Sequence, residues 1–352
     1  MKVLTLLAAI VVIAVIALPI GIVAQGPPRG GPAAPPCVQA GNTQYVCGQV
    51  SPEDLVIVPG GEWVVSTVYA APGGIRIINV KDKSTTTIYP SATAKEQFDN
   101  KTYDTCPGAP NDAMKANMQT HGVAIKEGRN GQHTLYVVNH GQRESIEVFQ
   151  MDANVRPPAL TWIGCAVAPG QVGLNEVLPL ADGGFISTDF MARGIDQGAR
   201  GRAMAGENNG ALWEWHTGKG WAKIPGSDSS MPNGLEISKD GKTLYVATWG
   251  DQAFFRLSLG QNPPKRDNVK LGFRADNVRW APDGTLFVTG QMLEQPASTN
   301  IVKIHPDTLR VTEILKRPNT PEFSNGTVTV QVGKELWVGT FRGDRLLVVP
   351  AP

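Results

Sequence analysis

The sequence predicts an all-β protein, a six-bladed β-propeller whose four-stranded blades surround a central channel. One pattern recurs six times: a short polar head, an apolar strand, a turn with glycine, and a second strand rich in Val, Thr, Trp and Tyr. The copies begin 43 to 68 residues apart, which accommodates about four strands per unit. Long helical patterns are absent from the sequence, and this favours the all-β class.

The six copies carry turn signals such as Asp-Gly, which suit tight hairpins. In a propeller the first strand of each blade lines the central channel, so all six polar heads are predicted to lie at the same end of it. The copies are EDLVIVPGGEWVVST from Glu53, HGVAIKEGRNGQHTLYVVNH from His121, NEVLPLADGGFISTDF from Asn175, NGLEISKDGKTLYVATWG from Asn233, DNVRWAPDGTLFVTGQM from Asp276 and NGTVTVQVGKELWVGTF from Asn325.

The start of the 352-residue chain differs from the repeats. An uncharged apolar run from Val3 to Ala24 follows a single lysine, which predicts a signal peptide over residues 1–24. Because the run is almost long enough to span a bilayer, an uncleaved membrane anchor formed by residues 3–24 is the alternative. Residues 25–36 form a Pro/Gly-rich linker, and residues 37–352 form the propeller. We therefore expect a secreted, periplasmic or extracellular protein, or one anchored to a membrane.

Export makes disulfides possible, and the four cysteines Cys37, Cys47, Cys106 and Cys165 allow three pairings. Cys37 with Cys47 is the local pairing and leaves Cys106 with Cys165. Free buried thiols are the alternative.

Composition and the absence of known motifs argue against several classes of function. The net charge is +1 and no basic block is present, so nucleic acid is not expected as a partner. The sequence also contains no GxSxG, GxxxxGK[ST], GxGxxG or HExxH motif, which argues against serine-type hydrolysis and nucleotide binding. We expect a monomer that acts on a small molecule.

The polar heads bring mostly carboxylate and amide oxygens to one point, and such sets suit calcium, which accepts six to eight oxygen ligands. Two histidines stand at positions where they could deprotonate a water molecule: His121 opens the second copy, and His140 ends its TLYVVNH strand. The alternative is that the heads only cap strand ends, as Asn, Asp and Gly commonly do. The expected calcium ligands are Glu53, Asn175, Asn233, Asp276 and Asn277.

At these residues the sequence resembles the paraoxonase/arylesterase group and the wider superfamily of gluconolactonase, regucalcin and strictosidine synthase. The resemblance runs from about Glu53 to Val349. Its most specific parts are EDLVIVPGG, HGVAI, LYVVNHGQRESIEVF, LNEV, PNGLEISKDGKTLYVA and RADNVRWAPDGTLFV.

The resemblance implies one catalytic calcium on the five ligands given above, with His121 and His140 as the family's histidine pair. It also implies a possible second calcium, held by Asp54, a backbone carbonyl near Val123, and Glu176. Glu176 stands where the family has an aspartate, although glutamate also coordinates calcium.

These observations predict a calcium-dependent hydrolase of lactones or other carboxylic esters, of lactonase or arylesterase type. A non-catalytic propeller that binds a ligand or protein at the calcium face is one alternative, since propellers host many functions. A strictosidine-synthase-like condensing enzyme is another. The polar, glycine-rich segment Met191–Asn209 interrupts the third copy, and we expect it to form a loop over the channel mouth.

Overall fold

The structure, a computed structural model, describes residues 35–39 and 43–352 and confirms the predicted six-bladed propeller. Its six sheets are antiparallel and four-stranded, and one of them carries an additional short strand. Strand β1 (Gln44–Cys47) precedes the first blade. The first blade consists of β2 (Leu55–Ile57), β3 (Trp63–Thr67), β4 (Ile75–Asn79) and β5 (Thr85–Tyr89). Next come strand β6 (Lys95–Glu96) and helix α1 (Asp112–Ala116). The second blade consists of β7 (Thr120–Lys126), β8 (Gln132–Asn139), β9 (Ser145–Asp152) and β10 (Ala159–Val167).

The remaining blades repeat this arrangement. The third consists of β11 (Leu174–Pro179), β12 (Phe185–Asp189), β13 (Leu212–His216) and β14 (Gly220–Lys223), with helix α2 (Gln197–Met204) between β12 and β13. The fourth consists of β15 (Pro232–Ile237), β16 (Thr243–Thr248), β17 (Ala253–Ser258) and β18 (Arg266–Lys270). The fifth consists of β19 (Arg274–Trp280), β20 (Leu286–Met292), β21 (Ser298–Ile304) and β22 (Val311–Pro318). The sixth contains β23 (Gly326–Val332), β24 (Glu335–Thr340) and β25 (Arg345–Pro350).

The sixth blade is completed by β1, which pairs antiparallel with β25 and brings Tyr45 opposite Leu347. The two ends of the repeat region therefore share one sheet. This pairing closes the ring and protects the outer edge of β25.

The apolar core lies between neighbouring blades. Between the sixth and first blades, for example, Val328 and Trp337 pack with Leu55 and Val64, and all four side chains are fully buried. Burial of apolar area is the main stabilising contribution in folding, so each blade is held mainly by its two neighbours. The inner strands are consequently held in fixed positions around the channel.

Five of the six blades have a register shift beside the polar head, which the sequence pattern does not reveal. In the second to sixth blades, pairing between the innermost and second strands shifts register beside the head, and in the second to fifth blades the head residues leave the ladder. Such bulges re-aim side chains and are common next to active sites. The shifts fall between Thr120 and Val123, Leu174 and Val177, Pro232 and Leu235, Ala275 and Val278, and Gly326 and Thr329.

Two glycines follow heads for a steric reason. A Cβ atom at Gly122 would overlap with the backbone carbonyl of Asn175, and one at Gly234 would overlap with the backbone of Val278. Neighbouring inner strands therefore approach each other closely around the channel.

The four cysteines form two disulfides, the local pairing and its remainder: Cys37 bonds Cys47, and Cys106 bonds Cys165. The first disulfide links the segment before β1 to the sixth blade. The predicted signal or anchor (1–24) and nearly all of the linker (25–36) lie outside the described residues. Within the described part of the chain, no helix has the length and apolar character needed to cross a membrane.

The insertion Met191–Asn209 is not entirely a loop, because it contains the two-turn helix α2. The helix begins at Asp196, whose side chain accepts a hydrogen bond from the Ala199 amide at 2.8 Å. Its end is fixed to the fourth blade, where the Ser230 hydroxyl donates to the Ala203 carbonyl at 2.6 Å.

Candidate active site

The five predicted calcium ligands lie at the inner ends of four blades, and each is almost completely buried. Glu53 lies two residues before β2, and the other four lie on innermost strands at or beside the register shifts. They are 1 to 5% exposed: Glu53, Asn175, Asn233, Asp276 and Asn277.

Side-chain contacts connect these residues across the channel. The Asn277 amide donates to Glu53 Oε1 at 2.9 Å, and Glu53 Oε2 lies 3.4 Å from His121 Nε2. The Asn175 amide nitrogen lies 3.5 Å from the same His121 nitrogen. Asn233 stands beside Asp276 and hydrogen-bonds its carboxylate. The structure thus brings all five residues together, with His121 beside them.

Three of these side chains present buried oxygens that have no hydrogen-bond partner: Glu53 Oε2, Asn175 Oδ1 and Asn233 Oδ1. An unsatisfied buried polar group costs about 1–3 kcal/mol, so three at one point need a common explanation. A cation among them would satisfy all three. The donors are oxygens only, which fits a hard cation such as calcium.

The carboxylates of the site also favour a cation. Burial raises the pKa of Asp276 well above its usual value, and the nearby Glu53 raises it further. A hydrogen bond of 2.5 Å from Gln291 to Asp276 opposes this effect. Two carboxylates held together in a buried site are stabilised by positive charge between them.

The donor set differs from that of a zinc centre. In residues 35–39 and 43–352, no group of three or more His, Cys, Asp or Glu side chains is arranged to hold a metal ion. The candidate calcium site instead combines two carboxylates with three amides.

The histidine pair forms a chain of hydrogen bonds that ends in a carboxylate. His121 Nδ1 lies 2.7 Å from His140 Nε2, and His140 Nδ1 lies 2.9 Å from Glu144 Oε1. Because a carboxylate only accepts, Glu144 assigns the proton of neutral His140 to Nδ1. His140 Nε2 then accepts from His121 Nδ1. The lone pair of neutral His121 is left on Nε2, which faces Glu53 and Asn175.

Glu144 is itself held in place by three different elements. Its Oε1 also accepts from the Leu174 amide at 2.7 Å, and its Oε2 lies 3.2 Å from a guanidinium nitrogen of Arg193. Arg193 belongs to the insertion Met191–Asn209, so this segment contacts the histidine chain directly. Glu144 was not predicted from the sequence, where a carboxylate four residues after His140 was the available signal.

Tyr69 is a second site residue that was not predicted from the sequence. Its ring packs against His121 with 4.6 Å between ring centroids. Burial raises the pKa of Tyr69 to about 12, with further contributions from Glu53 and Asp276. Its hydroxyl therefore stays protonated at neutral pH. No repeat head marks this position, because Tyr69 follows β3 rather than opening an inner strand.

The residues predicted for a second calcium also meet, deeper in the channel, but a side chain lies among them. The guanidinium of Arg279 contacts Asp54, Glu176 and the Val123 carbonyl. Burial raises the pKa of Asp54 to about 6 and that of Glu176 well above its usual value, and Arg279 opposes both shifts.

No protein-family model and no curated protein sequence matches this chain. Solved structures do share its fold. A gluconolactonase from Xanthomonas campestris is 14% identical, with a TM-score of 0.56 over 88% of this chain and 89% of that one. The fold is gluconolactonase-like. A luciferin-regenerating enzyme is 13% identical, with a TM-score of 0.54 over 88% of this chain and 92% of that one.

A catalytically inactive virginiamycin B lyase from Staphylococcus aureus is similar to the same degree, at 13% identity and a TM-score of 0.52 over 88% of this chain and 99% of that one. Proteins with different names thus share this architecture at low identity. The fold alone does not decide the reaction, which depends on the residues of the site.

Proposed function

We propose that this chain is an exported, calcium-dependent hydrolase of lactones or related carboxylic esters. The observation that carries the proposal is the set of three unpartnered buried oxygens among the ligand residues, together with His121 beside them, whose Nε2 atom carries no proton in the hydrogen-bond chain. The first feature calls for a hard cation, and the second provides a base beside it.

Glu53, Asn175, Asn233, Asp276 and Asn277 hold the calcium ion in this proposal. When bound, calcium supplies positive charge that polarises a substrate carbonyl and stabilises the developing oxyanion. Their burial excludes bulk water from the ligands, which strengthens the attraction between the carboxylates and the cation.

His121 Nε2 accepts the proton of a water molecule whose oxygen attacks the carbonyl carbon. The bond between that carbon and the ring oxygen of a lactone then breaks, and the leaving oxygen takes the proton from His121. The product is a hydroxy acid. His140 and Glu144 orient His121 and stabilise its transient positive charge, and Tyr69 fixes the plane of the imidazole.

The two disulfides and the apolar segment before the propeller support export to an oxidising compartment. The gluconolactonase among the structural neighbours supports a lactone as the substrate class.

A hydrolysis screen tests the proposal. Chelator-treated protein is incubated with lactones of five- and six-membered rings and with aryl esters, with and without added calcium. We expect turnover of at least one class with calcium, and loss of turnover with chelator. Absence of turnover across the panel at saturating calcium would favour the non-catalytic binding protein.

A further inference from the structure

The guanidinium of Arg279 occupies the centre of the channel, and all of its N–H groups have oxygen partners. Arg279 lies on the innermost strand of the fifth blade and is 8% exposed. A guanidinium has five N–H bonds, and five contacts to oxygens account for all of them. The contacts run from Nε to the Leu55 carbonyl at 3.1 Å, from Nη1 to Glu176 Oε2 at 3.0 Å and the Val278 carbonyl at 2.9 Å, and from Nη2 to Asp54 Oδ2 at 2.5 Å and the Val123 carbonyl at 3.2 Å.

Three of these five oxygens are the ones that would hold a second calcium ion: those of Asp54, Glu176 and Val123. The donor set fits calcium in chemistry, because it consists of two carboxylates and carbonyls. The position of the ion is already taken, however, because each of these oxygens accepts a hydrogen bond from the Arg279 guanidinium. A divalent cation placed beside that guanidinium would also be repelled by it.

The position of Arg279 within the repeat also supports its role as the cation among these carboxylates. Arg279 stands three residues after the head Asp276, and Glu236 stands three residues after the head Asn233. The two residues therefore occupy equivalent positions on neighbouring inner strands. Their charges are opposite, and each acts on the other electrostatically. This part of the channel is thus lined by three carboxylates with one arginine among them.

We propose that Arg279 takes the place of the second calcium, so that the chain binds at most one calcium ion and its inner strands are joined by a built-in cation. The five acceptors belong to the first, second, third and fifth blades. The guanidinium therefore links four blades at the axis without any metal. It follows that removal of calcium empties the catalytic site and leaves the propeller folded.

Calcium stoichiometry tests this directly. Protein stripped with chelator and dialysed is titrated with calcium chloride by isothermal titration calorimetry, and bound calcium is measured independently by elemental analysis. We expect no more than one ion per chain. Two ions per wild-type chain, in either measurement, would overturn the proposal whatever the behaviour of any variant.

A substitution provides the second test. Arg279→Ser leaves the carboxylates of Asp54 and Glu176 without their partner, and a buried charge without its partner is strongly destabilising. Without calcium we expect the Tm to fall by about 10 °C. With millimolar calcium we expect one additional bound ion and recovery of most of that loss. Folded Arg279→Ser protein that takes up no additional calcium would contradict the proposal.

Three controls separate the charge from other effects. Arg279→Lys keeps the positive charge and should not gain an ion. The double variant Arg279→Ser/Glu176→Gln should lose most of the gained affinity. Arg256→Ser removes an arginine paired at 2.8 Å with Asp267, away from the channel, and should leave the stoichiometry unchanged.

The outcome is distinct from that of the proposed function. If the wild-type chain binds no calcium, the catalytic calcium is absent and the proposed hydrolase mechanism fails. An additional ion in Arg279→Ser would still support the role of Arg279. Combining Arg279→Ser with Glu53→Gln identifies which of the two sites an ion occupies, because Glu53→Gln weakens only the site at the channel mouth.

Discussion

The Nδ1 atom of His121 lies 2.7 Å from the Nε2 atom of His140, and this contact fixes which nitrogen of His121 faces the candidate calcium site. The direction of the hydrogen bond follows from Glu144, which accepts the other proton of His140. The base proposed for the reaction is therefore His121 Nε2. The first two predictions concern this chain of hydrogen bonds.

His121→Gln should lower kcat by about a hundredfold or more, the usual scale of general base catalysis. Its calcium affinity should change little, because imidazole is a poor calcium ligand. Steady-state kinetics and calcium titration measure the two effects. His305→Gln changes a half-buried histidine in the turn after β21 and serves as the control. Full activity of His121→Gln on the best substrate would remove His121 from the mechanism.

Glu144→Gln should lower kcat by about tenfold while leaving KM and calcium affinity nearly unchanged, because Glu144 acts through His140. The imidazole nitrogen shifts in NMR spectra should also change, since the neutral amide holds the His140 tautomer less firmly. Arg193→Gln removes only the 3.2 Å ion pair to Glu144 and should have a smaller effect. An unchanged histidine spectrum in Glu144→Gln would argue against this positioning role.

Glu53→Gln should weaken calcium binding by at least tenfold, because it removes one of only two carboxylates in the ligand set. The Asn277 amide, which now donates to Glu53 Oε1, can still find an acceptor in the glutamine carbonyl. Glu62→Gln is the matched control, since Glu62 is exposed on the same blade. Equal calcium affinities for Glu53→Gln and the wild type would exclude Glu53 as a ligand.

Glu236 should make stability depend on pH. Burial raises its pKa to about 7 from 4.5, against the opposing charge of Arg279 and with a small contribution from Asp54. The folded state then holds more protons than the unfolded state between pH 4.5 and 7, so this group lowers stability as the pH rises through that window. The penalty is complete above pH 7.

Glu236→Gln removes this penalty. We expect the variant to match the wild type near pH 4.5 and to be more stable by about 3 kcal/mol at pH 8. Denaturant unfolding at constant calcium measures the difference, with Glu313→Gln on the exposed outer strand as control. A pH-independent difference would show that Glu236 does not titrate in this window.

Much of the fold and part of the site could be predicted from the sequence. The six-fold pattern of head, strand and turn determines the blades, and the heads identify Glu53 and Asn175 because first strands line the channel. Glu144 and Tyr69 were missed because they lie outside the heads, so their approach to His121 depends on hairpin geometry.

Arg279 was missed for a different reason. It lies within an apolar strand pattern, and only comparison with Glu236 at the equivalent position of the neighbouring copy would have shown an ion pair in the channel. Helix α2 was missed because its sequence, QGARGRAM, has no apolar face and contains two glycines. The capping side chain of Asp196 and the contacts of Ala203 stabilise it instead.

A crystal structure of the wild-type protein grown with calcium, with anomalous data, tests the central claim most directly. The account predicts one calcium peak at the channel mouth, with Glu53 Oε2, Asn175 Oδ1 and Asn233 Oδ1 at about 2.3–2.6 Å, the ordinary calcium–oxygen distance. It also predicts the Arg279 guanidinium, and no second peak, deeper in the channel. An empty mouth in which these three oxygens accept hydrogen bonds from protein groups or water would contradict it.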